Sequence, residues 1–175
     1  MSLPKPGRIR KKTKMIGIMA DSHDNLNAVR QAVRLFNSHG CRLVFHAGDF
    51  VAPFSARELH RLSCPLLTVY GNCDGEKEGL REAVRPVGKI FSAPHKLRYE
   101  GRRFLLTHIP LKEKTDTLKE KTDVYIFGHT HRPEIRREGK LLIINPGEVG
   151  GWVTGKNTVA IYDLDKDKAE ILPLS

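Results

Sequence analysis

Met15-Ile-Gly-Ile-Met-Ala-Asp-Ser-His23 is the stretch on which the fold turns. Its first six residues form a short apolar run that stops abruptly at Asp21, which predicts a buried strand with polar side chains at its carboxyl end. Beyond it, Leu26, Val29, Val33 and Phe36, with Ala28 and Ala32, recur at three- and four-residue intervals up to Gly40. That spacing predicts an amphipathic helix capped by Asp24 or Asn25 and stopped by Gly40. A strand followed directly by such a helix is the opening of a β-α-β unit.

The same alternation continues outward. Leu43–His46 predicts a second strand, Ser55–Leu62 a shorter helix capped by Ser55, Pro65–Tyr70 a third strand, and Glu76–Arg85 another helix. The first crossovers are long enough for parallel pairing. The second half changes character. Lys96–Tyr99 and Arg103–Thr107 flank the turn signal Glu100-Gly101, and Val124–Phe127 reads as a buried strand. Glu134–Arg137 and Leu141–Ile144 flank Glu138-Gly139, and Thr158–Leu164 and Ala169–Leu172 close the chain around Asp165–Asp167. Parallel units followed by hairpins predict an α/β domain of two packed, mixed sheets with helices outside.

Composition bounds the function. The chain has 175 residues, 39% hydrophobic and 29% charged, which suits one soluble domain. Its purely apolar runs fall far short of the roughly 20 residues of a membrane-spanning helix, so a transmembrane protein is ruled out. No apolar segment suited to a secretory leader follows the basic start. The 3 cysteines, Cys41, Cys64 and Cys73, are odd in number and lack C-x-x-C spacing, which points to a reducing cytosol.

The net charge of +10 raises the question of nucleic acid. Its distribution is uneven: Lys5, Arg8, Arg10, Lys11, Lys12 and Lys14 supply +6 with no acidic residue among them. With Pro4, Pro6 and Gly7, residues 1–14 read as a flexible basic arm ahead of a single domain over residues 15–175. Such an arm is either a solvated terminus or a contact for phosphate backbones.

Each strand end in turn carries metal-ligand residue types. These are Asp21-Ser22-His23, Gly48-Asp49, Gly71-Asn72-Cys73-Asp74, Thr107-His108 and Gly128-His129-Thr130-His131. In open α/β sheets ligands bind in the crevice beyond the carboxyl ends of the strands, so this order converges Asp21, His23, Asp49, Asn72, His108, His129 and His131 on one place. Asp21/His23 and His129/His131 are i,i+2 pairs, which in extended backbone share a face. Carboxylate, amide oxygen and imidazole together suit Mn, Fe, Zn, Co or Ni better than Mg or Ca. Seven ligands exceed what one such ion needs, and two divalent ions sharing a carboxylate fit the number. Any one of these motifs alone is commonplace; all five in order are not.

The series D-x-H, G-D, G-N-x-D, a lone His and G-H-x-H resembles the signature of the calcineurin-like metallophosphoesterase superfamily. The short chain, the G-N-C-D form of the third motif and Asn145-Pro146-Gly147 look most like its small YfcE-like phosphodiesterase branch. The resemblance runs from Met15 to the C-terminus and implies a four-layer α-β-β-α sandwich. It implies that Asp21, His23 and His131 hold one ion, that Asn72, His108 and His129 hold the other, and that Asp49 bridges them. A hydroxide between the ions is then the nucleophile, and manganese is the first expectation for the metal.

Asn72, Cys73, Asp74 and Asp49 are the residues expected at the reacting group. Cys73 stands where many members of the superfamily have a histidine that protonates the leaving oxygen together with the following acid, here Asp74. A thiol is a poorer proton donor near neutrality, so catalysis is expected to favour good leaving groups. Two departures from the family pattern bear on the site. Ile109-Pro110 follows His108 where glycine is usual, which puts the cleft rim in question. Glu148 replaces a serine, which puts a supporting hydrogen bond in question. His46 is expected to be a core residue, His39, His60 and His95 to lie away from the chemistry, and Trp152 to pack under the Gly150–Gly155 loop, with a rim or self-association contact as its alternative.

The leading expectation is therefore a metal-dependent phosphodiesterase acting on small, diverse substrates. A nuclease or nucleic-acid-binding protein led by the arm is the second reading, and a non-catalytic scaffold of the same fold the third. The oligomeric state is left open.

Overall fold

The computed structural model describes residues 14–112 and 115–175; most of the basic arm therefore lies outside the described residues. Among them, no helix is long and apolar enough to cross a membrane.

The opening strand, β1 (Met15–Met19), leads to α1 (Leu26–Ser38), β2 (Leu43–His46), α2 (Pro53–Ala56) with a 3-10 turn over Arg57–Arg61, β3 (Leu66–Val69), α3 (Lys77–Val84) and β4 (Gly88–Phe91). The second half runs β5 (His95–Tyr99), β6 (Arg102–Leu106), α4 (Thr115–Lys121), β7 (Val124–Ile126), β8 (Glu134–Glu138), β9 (Leu141–Asn145), β10 (Thr158–Asp163) and β11 (Lys168–Pro173). One sheet has the order β11-β10-β1-β2-β3-β4 and the other β5-β6-β7-β9-β8. β1 to β4 are mutually parallel, as are β6, β7 and β9, and the hairpin partners at the edges are antiparallel. Both sheets are mixed, as the order of units in the sequence predicts.

Alternation along β1 explains the layering. Ile16, Ile18 and Ala20 point between the sheets, where they meet Phe45, Phe104, Leu106, Val124, Ile126, Leu142 and Ile144. Met19 points the other way, into a core with Val29, Val33, Phe36 and Leu80 of α1 and α3. Gly17 shares that face because the Phe36 ring lies against it; a Cβ there would stand 2.6 Å from the ring. On the far side, Leu118 of α4 closes a third core with Leu105, Tyr125, Leu141 and Ile143. Helix, sheet, sheet and helix thus form four layers.

Local signals mostly hold. Asn25, one of the two expected caps, accepts a hydrogen bond from the Ala28 amide at 3.2 Å, as an N-cap side chain does. Gly40 leaves the helix at φ 63°, the left-handed conformation common after a helix end. Glu100 and Gly101 both adopt positive φ, as a tight primed hairpin turn requires. The second helix differs from expectation. It begins at Pro53 rather than Ser55 and tightens to 3-10 geometry at Arg57. Ser55 does not cap it; its hydroxyl turns back to donate to the Ala52 carbonyl at 2.9 Å, a local bond that serine side chains readily make. β4 and α4 are elements that the periodicity does not predict.

Candidate metal centre

The loops after β1 and β2 are zipped together by backbone hydrogen bonds from Asp21, His23 and Asp24 to Gly48, Asp49 and Phe50. Asp21, His23, Asp49, His129 and His131 all have positive φ, between 39° and 68°. This conformation is costly for residues other than glycine and is characteristic of functional loops. The i,i+2 pairs therefore converge through left-handed turns, and the extended backbone expected for them is not what brings them together.

Asp21 is fully buried. Its Oδ2 accepts from the His129 amide at 2.9 Å, while its Oδ1 lies 3.8 Å from His23 Nε2 and 3.6 Å from His131 Nε2. Asp49 Oδ2 lies 3.2 Å from His108 Nε2 and 3.5 Å from His23 Nε2, and its Oδ1 accepts from the Cys73 amide at 2.8 Å. Asn72 Oδ1 stands 2.8 Å from His108 Nε2, and the His129 ring meets His108 edge-on at 5.1 Å. The structure thus brings all seven residues together.

A metal fits this arrangement. Asp21 Oδ1 and His23 Nε2 are buried and have no hydrogen-bond partner among the described residues. Buried polar atoms rarely remain unsatisfied, and a cation answers a carboxylate oxygen and an imidazole nitrogen at once. Among the described residues, three trios place ligand atoms within 4.8 Å of one another: Asp21, His23 and His131; Asp21, Asp49 and His108; and His23, Asp49 and Cys73.

Supporting contacts orient the imidazoles. His108 donates its Nδ1 proton to the Ala47 carbonyl at 2.8 Å, and His131 donates its own to Glu148 Oε2 at 2.8 Å. In each ring Nε2 is left to face the carboxylates. Glu148, fully buried, also accepts from the amides of Val153 and Thr154 and from the Thr154 hydroxyl. The replacement of serine by glutamate therefore supplies a supporting hydrogen bond rather than removing one, and the sequence alone had not revealed this role. Asn145 ties the next loop down, donating to the Gly128 carbonyl and the Thr130 hydroxyl.

Charge follows geometry. Burial works against the Asp49 carboxylate, but His108 and the Cys73 amide hold its pKa well below the usual range. Asp21 raises the pKa of His23; at His108 the Asp49 contact outweighs burial and raises it too. Burial and the neighbouring Asp49 push the Cys73 thiol up to about 11.

Asp74 departs from its expected catalytic part. Its two buried oxygens accept four backbone N–H groups, from Asp49, Phe50, Val51 and Gly71. With both oxygens so engaged it positions the Asp49 loop instead of meeting a reacting atom. Trp152 also differs: it is 67% exposed, and its indole N–H donates to the His23 carbonyl at 3.0 Å, which places it on the rim. His46 is a fully buried core residue, bonded to the Ser22 hydroxyl and the Gly48 amide, as expected.

Residues 15–167 match the family model of the calcineurin-like phosphoesterase superfamily domain. The chain belongs to that superfamily. It is 34% identical over 155 residues to Phosphodiesterase MJ0936 of Methanocaldococcus jannaschii, covering 86% of this chain and 93% of the relative. It is 28% identical over 172 residues to Phosphodiesterase YfcE of Escherichia coli, covering 89% and 90% respectively. A solved structure described as a novel archaeal phosphodiesterase superposes with a TM-score of 0.82 at 33% identity, over 91% of this chain and 99% of the other. The four-layer sandwich is thus the superfamily's fold, and the superfamily implies divalent metal at the cluster of Asp21, Asp49 and their histidines.

Proposed function

We propose that this protein is a phosphodiesterase that hydrolyses small phosphodiesters at a centre of two divalent metal ions in a reducing cytosol. The observation that carries the reading is the position of Asp49 Oδ2, between His108 Nε2 at 3.2 Å and His23 Nε2 at 3.5 Å. One carboxylate oxygen shared by two groups of ligands suits a bridging role. Asp21, His23 and His131 would then hold one ion, and Asn72, His108 and His129 the other. Manganese is the first choice, with nickel, cobalt, zinc or iron as alternatives for the same donor set. Such a pair, when bound, supplies a hydroxide nucleophile at neutral pH and a positive clamp on the phosphoryl oxygens.

The chain's own residues do the rest. Asp21 and Asp49 bring negative charge that would draw cations into the site. Glu148 and the Ala47 carbonyl hold the His131 and His108 rings in the tautomer that leaves Nε2 free. The Asn72 side chain, exposed at the mouth, keeps its oxygen towards His108 and offers an amide N–H₂ to an incoming phosphoryl oxygen. Cys73 retains its proton at neutral pH and gives little help to a departing alkoxide. The phosphodiester class is supported by the relatives, which are phosphodiesterases. All 3 cysteines are free thiols, which suits the cytosol.

Turnover of bis(4-nitrophenyl) phosphate in the presence of Mn²⁺, abolished by Asp49→Ala, is the expected result. A protein that loads metal and stays inert points to the scaffold reading instead. Residues 1–14 are proposed as a contact for nucleic acid only in addition to this activity. Binding to DNA or RNA that survives their removal assigns nucleic acid to the body of the protein and overturns that role for the arm.

A further inference from the structure

Beside the Asn72–His108 half of the centre lies a cleft of about 430 Å³, which shares those two residues with it. Among its other lining residues are Tyr70 after β3, Lys77 at the start of α3, and Ile109, Pro110, Leu111 and Lys112 after β6. Its volume falls within the roughly 300–1,000 Å³ of small-molecule sites. A phosphate with two small alkyl arms leaves most of it empty.

The walls are held in place. The Tyr70 hydroxyl donates to the Lys77 carbonyl at 3.0 Å, and the Lys77 ammonium stands 5.6 Å from the Tyr70 ring centroid. Opposite in sequence, the Leu111 amide donates to the Tyr125 hydroxyl at 2.8 Å. Ile109 is 50% exposed, an apolar side chain left facing open space next to a metal-site histidine. Among the described residues, neither Lys77 nor Lys112 forms an ion pair with a carboxylate. The cleft therefore combines an apolar surface from Tyr70, Ile109, Pro110 and Leu111 with two cations that no carboxylate among the described residues pairs.

We propose that this cleft is the specificity subsite for one ester arm of the substrate, and that it takes an arm with a flat, apolar body bearing a second anionic group. The body lies against Tyr70 and the Ile109–Leu111 segment, and the anion meets Lys77 and Lys112. This rests on the phosphodiesterase reading and adds which diesters it prefers. The Ile109-Pro110 departure from the family's glycine then has a consequence: it gives the cleft an apolar lip that glycine lacks.

The test compares two diesters, 4-nitrophenyl phenyl phosphate and 4-nitrophenyl 3-carboxyphenyl phosphate, with the Mn²⁺-loaded protein. All phenolic products are counted, so that the comparison holds whichever arm departs. The carboxylated diester is expected to have a kcat/KM about fivefold higher, expressed in KM, the size of a partly exposed charge pair. Lys77→Ala combined with Lys112→Ala is expected to bring the ratio of the two substrates to about one, and Lys77→Arg with Lys112→Arg to keep it. Equal efficiency on both diesters in the wild type, or a ratio unchanged in the alanine variant, overturns the subsite and leaves the phosphodiesterase reading standing. No turnover of either diester overturns the phosphodiesterase reading and takes the subsite with it.

Discussion

His131 donates its Nδ1 proton to Glu148 Oε2 at 2.8 Å, and the glutamate that receives it is completely buried. A carboxylate can only accept, so this contact settles the tautomer and leaves Nε2 directed at Asp21 Oδ1. Burial opposes the charge on Glu148, yet His131 and the Thr154 and Val153 groups hold its pKa below the ordinary value. Glu148→Gln keeps the shape and removes the charge. It is expected to weaken Mn²⁺ binding by about 10–100-fold. Calorimetric titration of Mn²⁺ measures this, and unchanged affinity shows that the contact is merely structural.

Gly71 is where the third motif passes under Asp49. A Cβ there would overlap Asp49 Oδ1 and crowd the Asp49 amide. Gly71→Ala is therefore expected to displace the carboxylate and reduce metal-dependent turnover by at least about 100-fold, since misplacement of about 1 Å can cost that much. The expectation fails if the variant turns over substrate at close to the wild-type rate.

Asp74 holds four amides of two loops. Asp74→Ala leaves those buried donors unpaired and is expected to destabilise the fold by about 3 kcal/mol or more. Urea unfolding of the metal-free protein measures it. A loss under about 1 kcal/mol shows that water replaces the carboxylate at little cost.

Cys73 bears on the leaving group. Its thiol, raised to about 11, is a weak proton donor at neutral pH. Rates across aryl diesters of graded leaving-group pKa are expected to fall steeply, and Cys73→Ala to alter them by less than about threefold, far below the roughly 100-fold typical of general acid catalysis. A shallow dependence, made steep by Cys73→Ala, identifies the thiol as the acid after all.

His46 links stability to pH. Burial lowers its pKa to about 3; its Nδ1 accepts from the Gly48 amide and its Nε2 donates to the Ser22 hydroxyl, which suits only the neutral ring. The unfolded chain binds this proton below about 6.5, whereas the folded chain does not. Stability is therefore lost as pH falls from about 6.5 towards 3, by up to about 1.4 kcal/mol per pH unit from this group. His46→Gln lowers stability overall but is expected to flatten its decline between about pH 6.5 and 4.5. Parallel unfolding curves for the two proteins across that range contradict this.

Much of the site is legible in the motifs, because each ligand type follows a strand whose apolar run announces its own end. The seven residues named from spacing do meet. Distant partners are what the motifs leave out. Nothing near Asp74 in the chain indicates that it will hold the Asp49 loop, 25 residues away, and Glu148 looks like a departure until the chain brings it 2.8 Å from His131. The i,i+2 pairs suggest extended backbone, whereas both adopt left-handed turns, which at Asp21 and His23 are held by hydrogen bonds between the first two loops.

The strand and helix periods, the hairpin turns, the caps of the first helix and the order of the ligand motifs could all be read from the chain alone, since each depends on neighbours within a few residues. Long-range packing set the remainder. β4 has little alternation of its own and exists by pairing with β3, and α4 carries one buried leucine, Leu118, whose core is built from strands elsewhere. The roles of Asp74, Glu148 and Trp152 were settled the same way, because a buried carboxylate or an exposed indole takes its function from the groups that folding places around it.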